Sequence, residues 1–181
     1  ATMMQKTDGT DAEKASINHL VTQAITEGKI ATALRPHDVR VWQNLGAIYT
    51  NLLPVLTDAD TRALDMYMQA VALDGNNPAL RTEFGSVLMQ LIKITKDEKM
   101  QSAYLNRAHT EFQTAIQLKA DYPVAYYNLA KLLESVGEYG NAALAMQKVV
   151  SLLKDADPNL ARVQEELSAL KTKTPQPTPT P

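Results

Sequence analysis

Trp42-Gln43-Asn44-Leu45-Gly46-Ala47-Ile48-Tyr49 decides how this chain is read. Trp42, Leu45 and Tyr49 are three and four residues apart, so on a helix they fall on one stripe. Gly46 adjoins that stripe and removes a side chain where a partner helix must approach closely. The octet therefore predicts an amphipathic helix held tightly against a neighbour, with Trp42 and Leu45 packed between the two helices of a pair.

The same grammar continues downstream. Ala63, Tyr67 and Ala70 are followed by Leu73-Asp74-Gly75-Asn76-Asn77-Pro78, and Ala108, Phe112 and Ala115 by Leu118-Lys119-Ala120-Asp121-Tyr122-Pro123. A third run is the most regular: Pro123, Tyr126, Leu129, Ala130, Leu133, Gly137, Glu138, Tyr139, Ala142, Met146, Val149 and Leu152. Together these residues resemble the tetratricopeptide-repeat (TPR) family, whose first helix begins W-x2-L-G-x2-Y. The resemblance spans roughly residues 24 to 153, with Gly75 where the family usually has Pro and Arg81 where it has Trp. It implies an all-α fold, an α-solenoid of about three helix pairs with an extra helix at each end.

Two repeats exceed the usual length of about 34 residues. Gly46 to Ala63 is about five residues too long, and Pro54 with Asp58 to Asp60 marks a stretched turn. Gly85 to Ala108 is about eleven too long, roughly three helical turns, so both helices of that repeat can lengthen without losing apolar phase and project as a long hairpin. Thr10 with Glu13 reads as a capping box, Asn77-Pro78 and Asp157-Pro158 as an N-cap before Pro at the first helical position, and Gly75 and Gly137 as left-handed stops. These signals predict helices over 11–34, 38–53, 58–73, 78–95, 97–119, 123–136, 138–154 and 158–172. The implied organisation is an N-terminal extension (1–10), a repeat domain (11–172) with repeats near 39–77, 78–122 and 123–157, and a Pro/Thr-rich tail (173–181).

The chain has 181 residues, 45% hydrophobic and 21% charged, enough for one α-helical domain with a core. A net charge of −2 with interspersed signs argues against nucleic acid as a partner. With no cysteine, disulfides, thiol chemistry and Cys-ligated zinc are excluded. No apolar run reaches the roughly 18 residues of a membrane span. His19, His37 and His109 are not paired at metal-ligand spacing, and no Gly-rich phosphate loop, G-x-S-x-G or H-E-x-x-H occurs. No catalytic, cofactor or metal residue is therefore assigned, and the acidic residues read as solvated faces and caps.

The chain starts at Ala1, which fits a removed signal peptide, release from a longer precursor or a trimmed start, and its Pro/Thr end favours an extended polyproline arm of a kind common in exported proteins. An extracellular or cell-envelope location is expected, with the cytoplasm as alternative. More loosely, the chain resembles bacterial envelope-associated TPR domains.

The family resemblance also implies where partners bind. TPR domains hold peptides or helices along the face lined by the first helix of each repeat, which here carries Arg40, Gln43, Asn44 and Ala47; Thr82, Glu83 and Ser86; and Tyr127, Asn128, Lys131 and Glu134. Asn44 and Asn128 occupy equivalent places and resemble the asparagine ladder of peptide-holding superhelices; Glu83 interrupts it. The carboxylate clamp of chaperone-binding members is absent, because Gln43, Asn44, Val124 and Asn128 stand at its positions.

The two ends suggest a second mode. Helix 11–34 matches the second helix of a repeat and 158–172 the first, so each lacks a partner. Copies stacked head to tail would bring Val163, Leu167 and Leu170 against Ile17, Val21 and Ile25 of the next, with Pro177 and Pro179 in an arm reaching across it. The expected function is thus a non-enzymatic protein-interaction scaffold that self-associates as a subunit of an extracellular filament. The alternatives are a monomeric adaptor holding peptides in its groove, or the TPR domain of a larger envelope protein.

Overall fold

The computed structural model describes residues 10–174. Among them are eight helices: α1 (Asp11–Leu34), α2 (Val39–Asn51), α3 (Ala59–Leu73), α4 (Pro78–Ile94), α5 (Glu98–Leu118), α6 (Pro123–Ser135), α7 (Tyr139–Leu152) and α8 (Leu160–Lys173). The fold is all-α, an α-solenoid built from the pairs α2/α3, α4/α5 and α6/α7, with α1 and α8 as the extra helices. Helix ends fall within about two residues of those expected, the usual margin for frayed termini.

The caps explain the agreement. Thr10 Oγ1 accepts from the Glu13 N–H while the Glu13 carboxylate accepts from the Thr10 N–H at 2.7 Å, closing the box that starts α1. Asn77 Oδ1 accepts from the N–H groups of Ala79 and Leu80, ahead of Pro78. Gly137 has φ of +80°, the left-handed turn expected between α6 and α7.

Two expected boundaries differ. Gly75 does not take a positive φ; α3 ends at Leu73 with Asp74 as an ordinary cap. Nor does Pro158 open α8, since the Asp157 carboxylate turns back to accept from both the backbone and side-chain N–H groups of Asn159, and the helix begins only at Leu160. A local Asx turn outcompetes an N-cap there.

The chain divides at Asn76 and Asn77 into two compact units. In the first, α2 packs on both α1 and α3. Its core is formed by Val41, Leu45, Tyr49, Leu56, Ala63, Tyr67 and Ala70, all buried. A Cβ on Gly46 would lie 2.8 Å from the Tyr67 ring, so the missing side chain is what admits the aromatic of α3. Leu45 is buried toward α1, where a Cβ on Gly28 would come within 2.7 Å of it. Trp42 is only half-buried, and its indole N–H donates to the Pro36 carbonyl at 2.8 Å. Trp42 thus ties down the α1–α2 turn, whereas the pair interior expected for both residues holds Tyr67. The long α2–α3 connection is a turn whose Leu56 is buried and whose Asp58 adopts φ of +66° while pairing with Arg62 at 3.0 Å.

In the second unit Gly85 repeats the device, its bare Cα facing the ring of Phe112. The extra residues between Gly85 and Ala108 lengthen both helices as expected: α4 has 17 residues and α5 has 21, against 13 and 14 in α6 and α7. Arg81, which replaces the family Trp, meets Glu111 of α5 at 2.8 Å, and Arg107 meets the same carboxylate at 2.6 Å. Glu111 is 0% exposed, which corrects the reading of every acidic residue as a solvated face or cap. A buried carboxylate demands such partners, because the desolvation it suffers is large.

The α6/α7 pair continues into α8. Val163, Leu167 and Leu170 are buried in one cluster with Ala130, Leu133, Ala142, Met146 and Val149.

Inserting one methyl group should separate the tight glycine from a loose one. Gly85→Ala should lower stability by about 1–3 kcal/mol through overpacking against Phe112. Gly140→Ala, whose Cβ would meet only the Thr174 methyl at 3.7 Å, should be neutral or slightly stabilising. Thermal melts of both variants check the pair.

Candidate functional site: a groove between α4 and α6

The second unit contains a groove of about 540 Å³, lined by Ser86, Met89, Gln90 and Lys93 of α4 and by Tyr127, Asn128, Lys131, Glu134 and Ser135 of α6. The α4 set is spaced three and four apart and the α6 set follows the same helical period, so each helix contributes a single face. Opposite faces of both helices are committed to the core through Phe84, Val87, Leu88, Leu91, Ala130 and Leu133.

Polar side chains in the groove are fixed by one another. Asn128 Nδ2 donates to Ser86 Oγ at 3.0 Å, and the Ser86 hydroxyl in turn donates to the Thr82 carbonyl at 2.9 Å. This chain of bonds orients the Asn128 carboxamide, whose Oδ1 accepts no hydrogen bond among the described residues. Beyond Asn128 runs a ladder of charges joining α6 to α8. Lys131 donates to Glu134 at 2.6 Å and lies 3.6 Å from Glu166; Lys173 reaches the other oxygen of Glu134 at 2.9 Å. The Arg162 guanidinium binds Glu166 at 2.6 Å, donates to the Tyr127 hydroxyl at 2.8 Å and stacks over the Tyr127 ring. Tyr127 donates to Glu166 in turn.

These contacts move the protonation equilibria. The Lys131 ammonium, and after it that of Lys173, hold the Glu134 carboxyl below the usual range. The hydrogen bond to Glu134 raises Lys131, and those to Tyr127 and Glu166 help raise Arg162.

Of the residues expected to line the groove, Ser86, Tyr127, Asn128, Lys131 and Glu134 come together here. Thr82 does not: it is 3% exposed and its hydroxyl donates to the Pro78 carbonyl of its own helix. Glu83 is half-buried on α4 outside the groove lining. Arg40, Gln43 and Asn44 lie on α2 in the first unit, where Arg40 is held by Asp38 at 3.1 Å, Gln43 is half-buried and Asn44 is exposed. Four lining residues, Met89, Gln90, Lys93 and Ser135, were missed. For the three on α4 the signal was the stripe continuing two turns past Ser86, because this repeat's helices are long.

The residues expected to join copies are placed otherwise. Val163, Leu167 and Leu170 face their own chain's α6/α7 core, so they offer no seam to a second copy. Ile17 is exposed, while Val21 and Ile25 are half-buried on a helix whose packing partner is α2. Pro177 and Pro179 lie outside the described residues. Among the described residues no group of acidic, His or Cys side chains could hold a metal, and no helix is long and apolar enough to cross a membrane.

The geometry of paired helices with small residues at the contact matches known proteins. A family model described as tetratricopeptide repeat matches residues 123–153. The chain has the tetratricopeptide-repeat fold. Among solved structures, MamA is similar at a TM-score of 0.65 with 22% identity, over 92% of this chain and 85% of that one. A thermophilic TPR protein of Thermus thermophilus matches at 0.65 with 16% identity, over 88% and 79%. The first TPR domain of Spaghetti (RPAP3), solved bound to the HSP90 peptide SRMEEVD, matches at 0.57 with 19% identity, over 74% and 90%. No curated protein sequence matches the chain.

The charge ladder gives α8 a pH dependence. Because the folded pKa of Glu134 is depressed, its contribution is fully present above the unfolded value of about 4.3 and is lost as pH falls through the lower folded value. The melting temperature of the native chain should exceed that of Glu134→Gln by a few °C at pH 7, and the gap should close toward pH 3. A gap that stays constant with pH would remove the ladder as the cause.

Proposed function

We propose that the chain is a non-enzymatic interaction module whose second unit holds a peptide in the α4–α6 groove. The observation that carries this reading is the Asn128 carboxamide, oriented by Ser86 with an acceptor facing no partner in the described structure. A carboxamide so placed can accept from a peptide N–H through Oδ1 and donate through its second amide hydrogen, which recognises backbone irrespective of side chain. Met89 supplies apolar contact beside it, and the Tyr127 ring, stacked under Arg162, stiffens the wall on the α8 side. The HSP90 peptide bound to the similar RPAP3 domain supports the idea that this fold can hold a peptide.

Assembly into a head-to-tail filament has less support. The seam on which it rested is spent inside the chain, where α8 closes the α6/α7 core. The outer face of α8 is polar and exposed, carrying Gln164, Glu165, Ser168 and Lys171, which suits a solvated capping helix.

A photo-reactive benzoylphenylalanine at Met89, exposed to an array of short peptides, tests the reading. Bound peptides should cross-link at that position, and Asn128→Ala should weaken their affinity by about three- to tenfold with unchanged helical circular dichroism. Binding that Asn128→Ala leaves intact, with cross-links appearing only from positions on α5 or α7, would move the site off the groove.

A further inference from the structure

The cations around the groove are not equivalent. Lys131, Lys173 and Arg162 each stand in an ion pair, the two lysines sharing Glu134 and the arginine on Glu166. Lys93, at the α4 edge, forms no ion pair among the described residues and is exposed. In a chain of net charge −2 this leaves a local unmatched positive charge at one end of a largely apolar groove.

From this we propose that Lys93 is a specificity-determining residue that selects peptides with an acidic side chain, read within the peptide and not at its C-terminus. The proposal rests on the peptide-holding reading of the groove. A carboxylate beside Lys93 would gain an ion pair at the groove's edge, of the modest strength of an exposed pair. A basic side chain in the same place would meet an unpaired like charge, so the residue also rejects. Discrimination between an acidic and a neutral peptide therefore comes from Lys93, while Asn128 contributes equally to both.

The test uses the full chain and short peptides blocked at both ends by acetylation and amidation, identical except for Glu, Gln or Lys at scanned positions. Fluorescence polarisation is recorded for the native chain, Lys93→Glu and Asn128→Ala. The Glu peptides should bind about two- to fivefold more tightly than their Gln counterparts, and more weakly as salt rises. Lys93→Glu should abolish that preference and favour the Lys peptides, whereas Asn128→Ala should weaken all three sets in proportion. If Glu and Gln peptides bind alike while Asn128→Ala still weakens both, the acidic preference falls and the groove stands. Absence of binding in every set overturns both. A single-stranded oligonucleotide that competes as well as the Glu peptide would replace the proposal with a general anion surface.

Discussion

Close approach of paired helices is the constraint from which the rest follows. At Gly46 the Tyr67 ring occupies the space a side chain would take, and at Gly85 the Phe112 ring does the same. Around these contacts Ala63, Ala70, Ala108 and Ala115 are fully buried, as are Ala130 and Ala142 in the α6/α7 pair, so pairs meet through small residues, with an aromatic plug in the first two. Interiors packed this closely tolerate little change of volume. The core face of each helix is thereby fixed, and so is the opposite face, which in α4 and α6 becomes the groove.

This is why the fold was legible in the sequence. The period of Trp42, Leu45 and Tyr49, the alanine and aromatic spacing after it, and the capping box at Thr10 each report a local constraint, and helix boundaries obey local constraints. Where a competing local interaction existed, the reading slipped: Asp157 made a turn with Asn159 and displaced the start of α8. The stripe Val163, Leu167 and Leu170 was read correctly as apolar but assigned to the wrong neighbour. Periodicity states that a face is buried and is silent on what buries it.

The site was legible in part for the same reason. Asn128, Tyr127 and Lys131 follow from their place on a first helix, yet the contacts that give them direction are made with Ser86, Arg162 and Glu166, 35 to 42 residues away. Spacing within one helix carries no trace of such pairs. Glu111 is the plainest case: its near partner Arg107 reads as an ordinary i,i+4 surface pair, and its other partner Arg81 lies 30 residues earlier, at a position where the family pattern led one to expect Trp. The substitution that weakened the resemblance and the charge that seemed solvated are two halves of one interaction. Arg107 stacks over Phe84 while holding the same carboxylate, which welds α4 to α5 beneath the groove.

The groove is therefore a by-product of packing that has been equipped with fixed polar groups. Its walls are held by the Phe112 plug under α4 and by the ladder from α6 to α8, so a ligand meets a surface organised before it arrives. Backbone amide shifts recorded by nuclear magnetic resonance, during titration with a peptide bound by the chain, test this account most directly. It predicts that the largest shifts cluster at Ser86, Met89, Lys93, Asn128 and Lys131, with the α5 and α7 core residues Phe112 and Met146 unmoved. Shifts centred on the outward faces of α5 and α7, leaving the α4–α6 face silent, would contradict it.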